Sequence, residues 1–303
     1  MLELVVIGSI TEDLIVKPNR KEEQLIGGTP IYVAATAKAL GKTVGIVSKV
    51  GTDFQVKHLK QIHNLEADLN GFQISGNTSM KFKNIYDLKG NRSQEILSSS
   101  EEITFEDIPM AYNSVPWIHL GPVFNEISID IITKIRKKFD FISLDIQGLI
   151  RSTKGSSKKI IHKKLANFDE FLPKLNLLKV DDNELKNMTG NKKLSKAIDL
   201  VLNTGLEHLV ITRAHNGATI YRKDECFEIP AFPTTIVDET GAGDTFITAY
   251  ILEFLKTNDC QYAGLIAAST ASFNISTLGS ITNYTREDVI NKIQSQYSEF
   301  QEK

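Results

Sequence analysis

Short apolar runs rich in valine, isoleucine and leucine recur along the chain, and they constrain the fold more than any other feature. They occupy residues 3–10, 43–50, 117–120, 141–146, 177–180 and 208–213. The runs are largely unbroken rather than alternating, which indicates strands that are covered on both faces, as in a parallel sheet. Helical periodicity separates or follows them at about 30–40, 54–64, 127–138, 194–204, 241–256, 260–274 and 286–300. This order predicts an α/β fold with a mostly parallel sheet flanked by helices.

One segment departs from this alternation. Residues 71–100 alternate polar and apolar side chains around Lys89-Gly90-Asn91, which is typical of antiparallel hairpins with one exposed face. Together with residues 11–18, the segment is predicted to form a small β lid over the carboxyl ends of the main strands, where open α/β sheets bind ligands. The sequence therefore predicts one domain over residues 1–303, with the lid as an appendage.

Composition narrows the class of partner. The chain has 35 lysine and arginine residues against 37 aspartate and glutamate residues, a formal charge of −2, which gives no electrostatic reason to expect nucleic acid or an anionic membrane. No run reaches the roughly 18 apolar residues of a membrane span. The N-terminal run reads as a strand rather than a signal peptide. We therefore expect a soluble cytoplasmic protein that binds a small molecule.

The most informative segment is VDETGAGDTFITAY, residues 237–250. Gly241, Ala242 and Gly243 stand where a loop turns into a helix, so their backbone N–H groups and the positive end of the helix could hold an anion. Asp244 follows in the first turn and could accept a proton from a hydroxyl group that attacks phosphorus. The alternative is a tight glycine turn followed by an ordinary N-terminal helix acid. The P-loop pattern GxxxxGK[ST] is absent from the sequence.

A second glycine site precedes a predicted helix. Gly27 and Gly28 allow close approach of the backbone, Pro30 suits the first helical turn, and Gly41 suits the end of the helix. The start of this helix could face a ligand, or the segment could be an ordinary strand-to-helix connection.

These two segments together resemble a known family. GGTPIYVAATAKALG at residues 27–41 and DETGAGDTFITAYI at residues 238–251 are similar to the two signatures of the PfkB (ribokinase-like) carbohydrate kinases, and GSITED at the first strand fits the same order. The resemblance implies a ribokinase-like three-layer α/β/α sandwich with a β lid. It also implies a kinase that uses ATP and Mg²⁺ to transfer the γ-phosphoryl group to a hydroxyl of a sugar, polyol or nucleoside.

The resemblance assigns catalytic and substrate residues position by position. Asp244 matches the catalytic base, and Asp13 matches the acid that binds substrate hydroxyls. The alternative for Asp13 is a plain turn acid at the end of a strand. The anion hole corresponds to Gly241, Ala242 and Gly243, and the diglycine that approaches the substrate corresponds to Gly27 and Gly28.

The resemblance also assigns the nucleotide and metal side. Asp181 and Glu184 fall at the family's NxxE motif, with Asp181 in place of asparagine, and Glu184 is implied to organise magnesium through water. The alternative for Glu184 is an ordinary acid at the start of a helix. Thr212, Arg213 and Gly217 fall in the element near the nucleotide, although Ala214 stands where a glycine is common. Asn274 is implied to contact adenine, and the alternative for it is a helix cap. Asp238 resembles a residue of the family's monovalent-cation loop, which suggests K⁺.

Three residues near a central strand bear on the substrate. Asp145, Gln147 and Arg151 resemble the DxQxxxR element of the archaeal and plant myo-inositol kinase-like branch. We expect Asp145 and Gln147 to lie on one side of an extended segment and bind vicinal hydroxyls, and Arg151 to pair with phosphate. A structural hydrogen-bonded corner is the alternative for Gln147 and Arg151. Tyr32 stands where ribokinase-type sequences carry an asparagine, which makes ribose a less suitable substrate.

The resulting order of substrates is a cyclic polyol such as myo-inositol first, other sugars second and nucleosides third. There are two alternatives to a kinase. A catalytically silent nucleotide or sugar sensor would keep the fold without the reaction. A dinucleotide-dependent oxidoreductase would need GxGxxG after the first strand, and Gly8-Ser9-Ile10 does not supply it. The resemblance further suggests a homodimer formed through the lid.

Overall fold

The structure is a computed structural model that describes residues 2–18, 21–88, 92–297 and 301–303. Its strands are β1 (Leu4–Ile7), β2 (Thr11–Val16), β3 (Glu22–Gly27), β4 (Gly45–Val50), β5 (Asp68–Ile74), β6 (Met80–Tyr86), β7 (Arg92–Ser98), β8 (Trp117–Leu120), β9 (Phe141–Asp145), β10 (Arg151–Ser152), β11 (Ile161–His162), β12 (Leu177–Asp181), β13 (His208–Thr212), β14 (Ala218–Arg222) and β15 (Glu225–Ile229).

The helices are α1 (Thr29–Ala39), α2 (Val56–His63), α3 (Asp130–Arg136), α4 (Gln147–Ile150), α5 (Phe168–Phe171), α6 (Asp182–Thr189), α7 (Leu194–Leu202), α8 (Ala242–Thr257), α9 (Cys260–Asn274) and α10 (Arg286–Gln296). None of the helices in the described ranges is long and apolar enough to cross a membrane.

The large sheet has nine strands in the order β15-β14-β13-β12-β9-β8-β1-β4-β5. The strands from β13 to β5 pair in parallel, as the apolar runs predict, and β14 and β15 add an antiparallel hairpin at one edge. Successive residues of β1 enter different cores, because neighbouring side chains of a strand point to opposite faces. Leu4 and Val6 pack with α1, α8, α9 and α10, and Val5 and Ile7 pack with α3, α6 and α7. The predicted three-layer α/β/α sandwich is therefore confirmed.

A small sheet of order β3-β2-β6-β7 stands apart from the large one. It contains the predicted segment 11–18 in part and most of segment 71–100, but two boundaries differ from the prediction. Residues 71–74 belong to β5, which pairs with β4 at the edge of the large sheet, and β3 joins the small sheet beside β2. The predicted turn at Lys89-Gly90-Asn91 lies outside the described residues.

The two glycine segments have the helix-end geometry that the sequence predicts. Gly28 precedes α1 with φ 87°, Pro30 lies in the first turn, and Gly41 follows the helix with φ 72°. Gly241 precedes α8 with φ 76°. The predicted helix at 286–300 is shorter, because α10 ends at Gln296.

Candidate active site

A pocket of about 140 Å³ lies between the small sheet and the carboxyl ends of the central strands. It brings together residues from segments far apart in sequence: Thr11, Asp13, Gly28, Thr29, Tyr32, Phe82, Asn84, Arg92, Gln94, Val123, Asp145, Gln147, Arg151, Lys179, Glu239, Thr240, Gly241, Ala242, Gly243 and Asp244. The anion loop, which we define as Gly241, Ala242 and Gly243, therefore shares one cavity with most of the residues predicted to bind substrate.

The anion loop is held from behind by side chains. Asp238 Oδ1 accepts hydrogen bonds from the backbone N and the hydroxyl of Thr240, at 3.0 and 2.6 Å. Asn274 Nδ2 donates to the carbonyl oxygen of Thr240 over 3.0 Å. Asn274 therefore holds the residue that precedes the loop, a role that neither alternative for it anticipated. These bonds fix the loop. The backbone N of Ala242 already donates to the carbonyl oxygen of Glu239 at 3.3 Å, so the amides of Gly241 and Gly243 are the ones that the loop would offer to an anion.

Asp244 lies in the first turn of α8, is only 9% exposed and lines the pocket. Its Oδ1 atom is buried without a hydrogen-bond partner among the described residues. Burial and the charge of Asp145 raise the pKa of Asp244 to about 6, against the opposing charge of Lys179. No side-chain capping bond forms at this end of α8. A buried carboxylate oxygen without a protein partner is costly unless a ligand or water satisfies it, so this geometry favours a ligand-facing acid over a helix cap.

Lys179 is the main site residue that sequence reasoning missed. It lies in β12 with its side chain 8% exposed, and its Nζ atom is 2.9 Å from Asp145 Oδ2 and 4.0 Å from Glu184 Oε2. The same ammonium lies beside the anion loop, since a Cβ built on Gly243 would be 2.7 Å from it. Although burial opposes this, Asp145 and Glu184 hold its pKa above the usual range. The available signal was a lysine inside the apolar run LLKV, because a charge there must be paired.

Asp13 approaches the pocket from the small sheet. Burial raises its pKa to about 6, and its Oδ1 atom has no hydrogen-bond partner in the described ranges. The diglycine makes room for it, since a Cβ on Gly27 would lie 2.8 Å from Asp13 Oδ2 and 3.0 Å from Thr11 Oγ1. Gly27 itself does not line the pocket. Gly28 does, and a side chain there would collide with the carbonyl oxygen of Ser9 at 2.2 Å.

The DxQxxxR element faces the pocket in a different local structure from the predicted one. Gln147 begins the short helix α4 rather than continuing an extended segment, because Asp145 Oδ1 accepts a hydrogen bond from its backbone N at 3.0 Å. Arg151 donates to Gln147 Oε1 and to the carbonyl oxygen of Val123, both at 3.0 Å. The structural corner that we left open as an alternative therefore exists, and its side chains also line the cavity.

The small sheet contributes four pocket residues that the sequence did not single out: Phe82, Asn84, Arg92 and Gln94. Gln94 Nε2 donates to Asn84 Oδ1 over 2.9 Å, and the guanidinium of Arg151 lies 5.9 Å from the Phe82 ring centroid. The alternation of β6 was the available signal, since Phe82 and Asn84 are two residues apart and share a face.

The predicted nucleotide residues lie outside this pocket. Asp181 caps α6, accepting from the backbone N of Glu184 at 2.7 Å, and Glu184 Oε2 accepts from the backbone N of Asp181 at 2.7 Å. Arg213 lies 3.3 Å from Asp182. Two further residues have backbone roles. Thr212 Oγ1 donates to the carbonyl oxygen of Val180 at 3.4 Å, and Gly217 has φ 79° where a side chain would meet Ile229.

The sequence predicts two cations, Mg²⁺ near Glu184 and K⁺ near Asp238, and each can be compared with the oxygen atoms around it. The described residues contain no group of three or more His, Cys, Asp or Glu side chains that could hold a metal. Magnesium often binds through waters, substrate phosphates and one carboxylate, and buried Glu184 near Lys179 fits that outer position. For the monovalent cation, Asp238 Oδ2 accepts from the backbone N of Gly279 at 3.0 Å, so both carboxylate oxygens already hold backbone. The K⁺ assignment stays a prediction.

Replacing Gly241 with alanine should displace the anion loop. Its φ is 76°, and a Cβ would lie 2.1 Å from Cδ1 of the Tyr32 ring. If the loop belongs to an active site, as the sequence predicts, we expect kcat to fall about tenfold or more, because small misplacements of catalytic groups are costly. Gly41→Ala is the matched control, since its φ is 72° but nothing lies within 4 Å of the new Cβ. Equal effects of both variants on kcat would contradict the role of the Tyr32 contact.

Known proteins resemble this chain over most of its length. A cytidine kinase of Thermococcus kodakarensis is 25% identical over 273 residues, which cover 88% of this chain and 94% of the relative. An inositol 3-kinase of Arabidopsis thaliana is 22% identical over 288 residues, which cover 91% and 74%. A pyrophosphate-dependent kinase in the ribokinase family, solved with a pyrophosphate analog and myo-inositol, superposes with a TM-score of 0.82 at 24% identity, over 94% of this chain and 98% of that one.

The whole-chain fold, the two glycine segments and these relatives agree. Residues 1–287 match the family described as pfkB family carbohydrate kinase. The resemblance predicted from the two signatures is thereby confirmed. The chain belongs to the pfkB family of carbohydrate kinases.

Proposed function

We propose that this kinase transfers the γ-phosphoryl group of ATP to a hydroxyl group of a cyclic polyol or sugar, with a myo-inositol-like ring as the first choice. The observation that carries the proposal is the unpartnered carboxylate oxygen of Asp244, which is buried in one cavity with the anion loop. A general base must reach the hydroxyl whose proton it removes, and the amides must meet the phosphoryl oxygens. Both requirements can be met in one small pocket.

In the proposed reaction, the hydroxyl group of the acceptor binds between Asp13 and Asp244. Asp244 accepts the hydroxyl proton as the oxygen attacks the γ-phosphorus, and the bond between that phosphorus and the bridging oxygen breaks to release ADP. The amides of the anion loop and the ammonium of Lys179 stabilise the charge on the transferring group. Magnesium, held through water by Glu184, would neutralise the donor phosphates. The small sheet excludes water as a lid, which limits hydrolysis of the donor.

Pocket size supports an acceptor with one ring. The cavity volume is about 140 Å³, close to the roughly 150 Å³ cavity that accommodates benzene in another protein. A polyol or sugar ring matches this volume better than a nucleoside with two ring systems. The paired amides of Asn84 and Gln94, together with the carboxylate of Asp13, offer hydrogen-bond donors and acceptors to several hydroxyl groups.

Pyrophosphate is a second candidate donor. The solved structure with myo-inositol is of a pyrophosphate-dependent kinase, and in this chain the amide of Asn274 is engaged with Thr240 rather than free for a base. A donor that presents only phosphates would still need the anion loop and Lys179.

A screen by ³¹P NMR tests the proposal. Wild-type enzyme with Mg²⁺ is incubated with ATP or pyrophosphate and with inositols, hexoses, ribose or nucleosides. We expect a new phosphomonoester resonance with a cyclic polyol or hexose, and donor loss that depends on the acceptor. Donor binding without any transfer would instead support the catalytically silent sensor. If only nucleosides are phosphorylated, the acceptor is a nucleoside and not a polyol or sugar.

The reaction should also weaken in acid. Burial raises the pKa of both Asp13 and Asp244 to about 6, so each carboxyl becomes protonated as the pH falls through that value. A protonated Asp244 cannot accept the hydroxyl proton, and kcat/KM is expected to fall at least about tenfold per pH unit below pH 6. In Asp13→Asn, kcat/KM should still fall below pH 6, while the acceptor binds less tightly than in the wild type. A rate that stays flat down to pH 5 would contradict the assignment.

A further inference from the structure

Four charged or titratable side chains meet behind the lid, on the face of the small sheet opposite the pocket. This hinge cluster consists of Glu12 on β2, Lys81 on β6, Asp53 just before α2 and His58 on α2. Lys81 Nζ lies 2.7 Å from Asp53 Oδ2 and 3.1 Å from Glu12 Oε2. Glu12 Oε1 lies 2.7 Å from His58 Nδ1. The cluster therefore joins two lid strands to the helical layer of the main domain.

Backbone bonds reinforce the same junction. Glu12 Oε1 accepts from the backbone N of Gln55 at 3.0 Å, at the start of α2. Asp53 Oδ1 accepts from the backbone N of Ser79 at 2.8 Å and from its hydroxyl at 2.7 Å, one residue before β6. Glu12 of the lid thus binds the backbone at the start of α2, and Asp53 beside α2 binds the backbone just before β6. Both carboxylates also pair with Lys81.

The cluster is too buried to be a surface ion pair. Glu12 is 6% exposed and His58 is 1% exposed, and only Lys81 and Asp53 reach solvent. Burying charges costs desolvation energy that their attraction often only offsets, so such a group is a weak source of stability and a better source of fixed geometry. The proposed reaction uses none of these four side chains.

Strand register connects the cluster to the pocket. Glu12 is the direct partner of Lys81 in the parallel pairing of β2 and β6, and Asp13 is the direct partner of Phe82. Because successive residues of a strand point to opposite faces, fixing Glu12 and Lys81 from behind fixes Asp13 and Phe82 in front. Both of these line the pocket.

We propose that Glu12 and Lys81 are positioning residues for the acceptor: they lock the lid strands against α2 so that Asp13 and Phe82 keep their places opposite Asp244. The expected change in acceptor affinity rests on the proposed function. The attachment of the lid strands to α2 does not depend on it. Without these ion pairs, β2 and β6 are held less firmly against α2. The acceptor then loses affinity, while the donor, bound at the anion loop, is held as before.

Hydrogen–deuterium exchange tests the structural part without substrate. In Lys81→Met, amides of β2 and β6 should exchange at least about tenfold faster than in the wild type, with α8 and α9 unchanged. Lys83→Met is the matched control: Lys83 is two residues further along β6 on the same face and forms no ion pair among the described residues. Unchanged exchange in Lys81→Met, or equal changes in both variants, would overturn the lock.

Steady-state kinetics test the positioning part with the best acceptor from the screen. Lys81→Met and Glu12→Gln should each raise the acceptor KM about tenfold, with the donor KM and kcat within about threefold of wild type. Lys81→Arg should restore most of the affinity, and the double variant should be no worse than either single one. A merely structural role would lower the melting temperature and leave the acceptor KM unchanged, which would overturn the proposal. If wild-type enzyme transfers no phosphoryl group, the proposed function fails and the exchange result alone decides whether the lock exists.

Discussion

Asp244→Asn is expected to lower kcat by at least about 100-fold, the scale for loss of a general base. The substitution keeps the size and the position of the side chain at the start of α8, but an amide cannot take up the hydroxyl proton. Because the anion loop and Lys179 remain, the dissociation constant of the donor should stay within about threefold of wild type. Stopped-flow or initial-rate kinetics measure the first quantity, and titration calorimetry with the donor measures the second.

Asp13→Asn is the companion to this variant. Asp13 lines the same pocket from the small sheet and, like Asp244, is a buried acid with its pKa raised to about 6. We expect this substitution to raise the acceptor KM and to change kcat much less, because in the proposed reaction Asp13 binds the acceptor without accepting its proton. The assignment of the base is wrong if Asp244→Asn turns over at near wild-type rate. It is also wrong if Asp13→Asn lowers kcat while Asp244→Asn mainly raises the acceptor KM.

Lys179→Met should also have a large effect, on stability as well as on rate. The substitution leaves the carboxylate of Asp145 buried and unpaired, and breaking such a pair costs about 3–5 kcal/mol of stability. It also removes the ammonium beside the anion loop, so we expect kcat to fall by about two to three orders of magnitude in the protein that remains folded. Chemical denaturation measures the free energy of unfolding, and kinetics normalised to folded protein measure the rate.

A double variant separates these two roles of Lys179. In Lys179→Met/Asp145→Asn both charges of the pair are gone, so most of the stability should return. The rate should not return, because the anion loop still lacks its neighbouring cation. Recovery of stability and activity together would show that the lysine serves only to compensate Asp145.

The sequence could predict those parts of the fold that carry a local signal. The parallel strands follow from unbroken apolar runs, and α1 and α8 begin at glycines whose positive φ only glycine adopts cheaply. The hairpin of β14 and β15 was not predicted. Its turn contains Lys223 with φ 51° rather than the glycine or asparagine that marks such turns. Helix α6, which begins at the capping box of Asp181 and Glu184, was not among the predicted helices, and a helix-start role for Glu184 was only an alternative.

The site was predictable where one segment holds all the chemistry, as in the anion loop and Asp244. Lys179 was not, because its partner Asp145 lies on a neighbouring strand and nothing local in the sequence pairs them. Gln147 was misplaced on an extended segment because the side chain of Asp145 turns the backbone after it. Arg92 and Gln94 of the small sheet needed the pairing of β6 with β7 to bring them to the pocket. A homodimer through the lid stays a prediction, which analytical ultracentrifugation can check.

A crystal structure of the wild-type enzyme with a bound acceptor and a non-hydrolysable donor analogue tests the central claim most directly. We expect one acceptor hydroxyl within roughly 2.6–3.2 Å of the Asp244 carboxylate, the distance that proton transfer to a base requires. The terminal phosphate of the donor should accept hydrogen bonds from the amides of Gly241 and Gly243, because the amide of Ala242 already donates to Glu239. A donor phosphate bound away from this loop, or an acceptor whose hydroxyl groups all lie beyond reach of Asp244, would contradict the proposed chemistry.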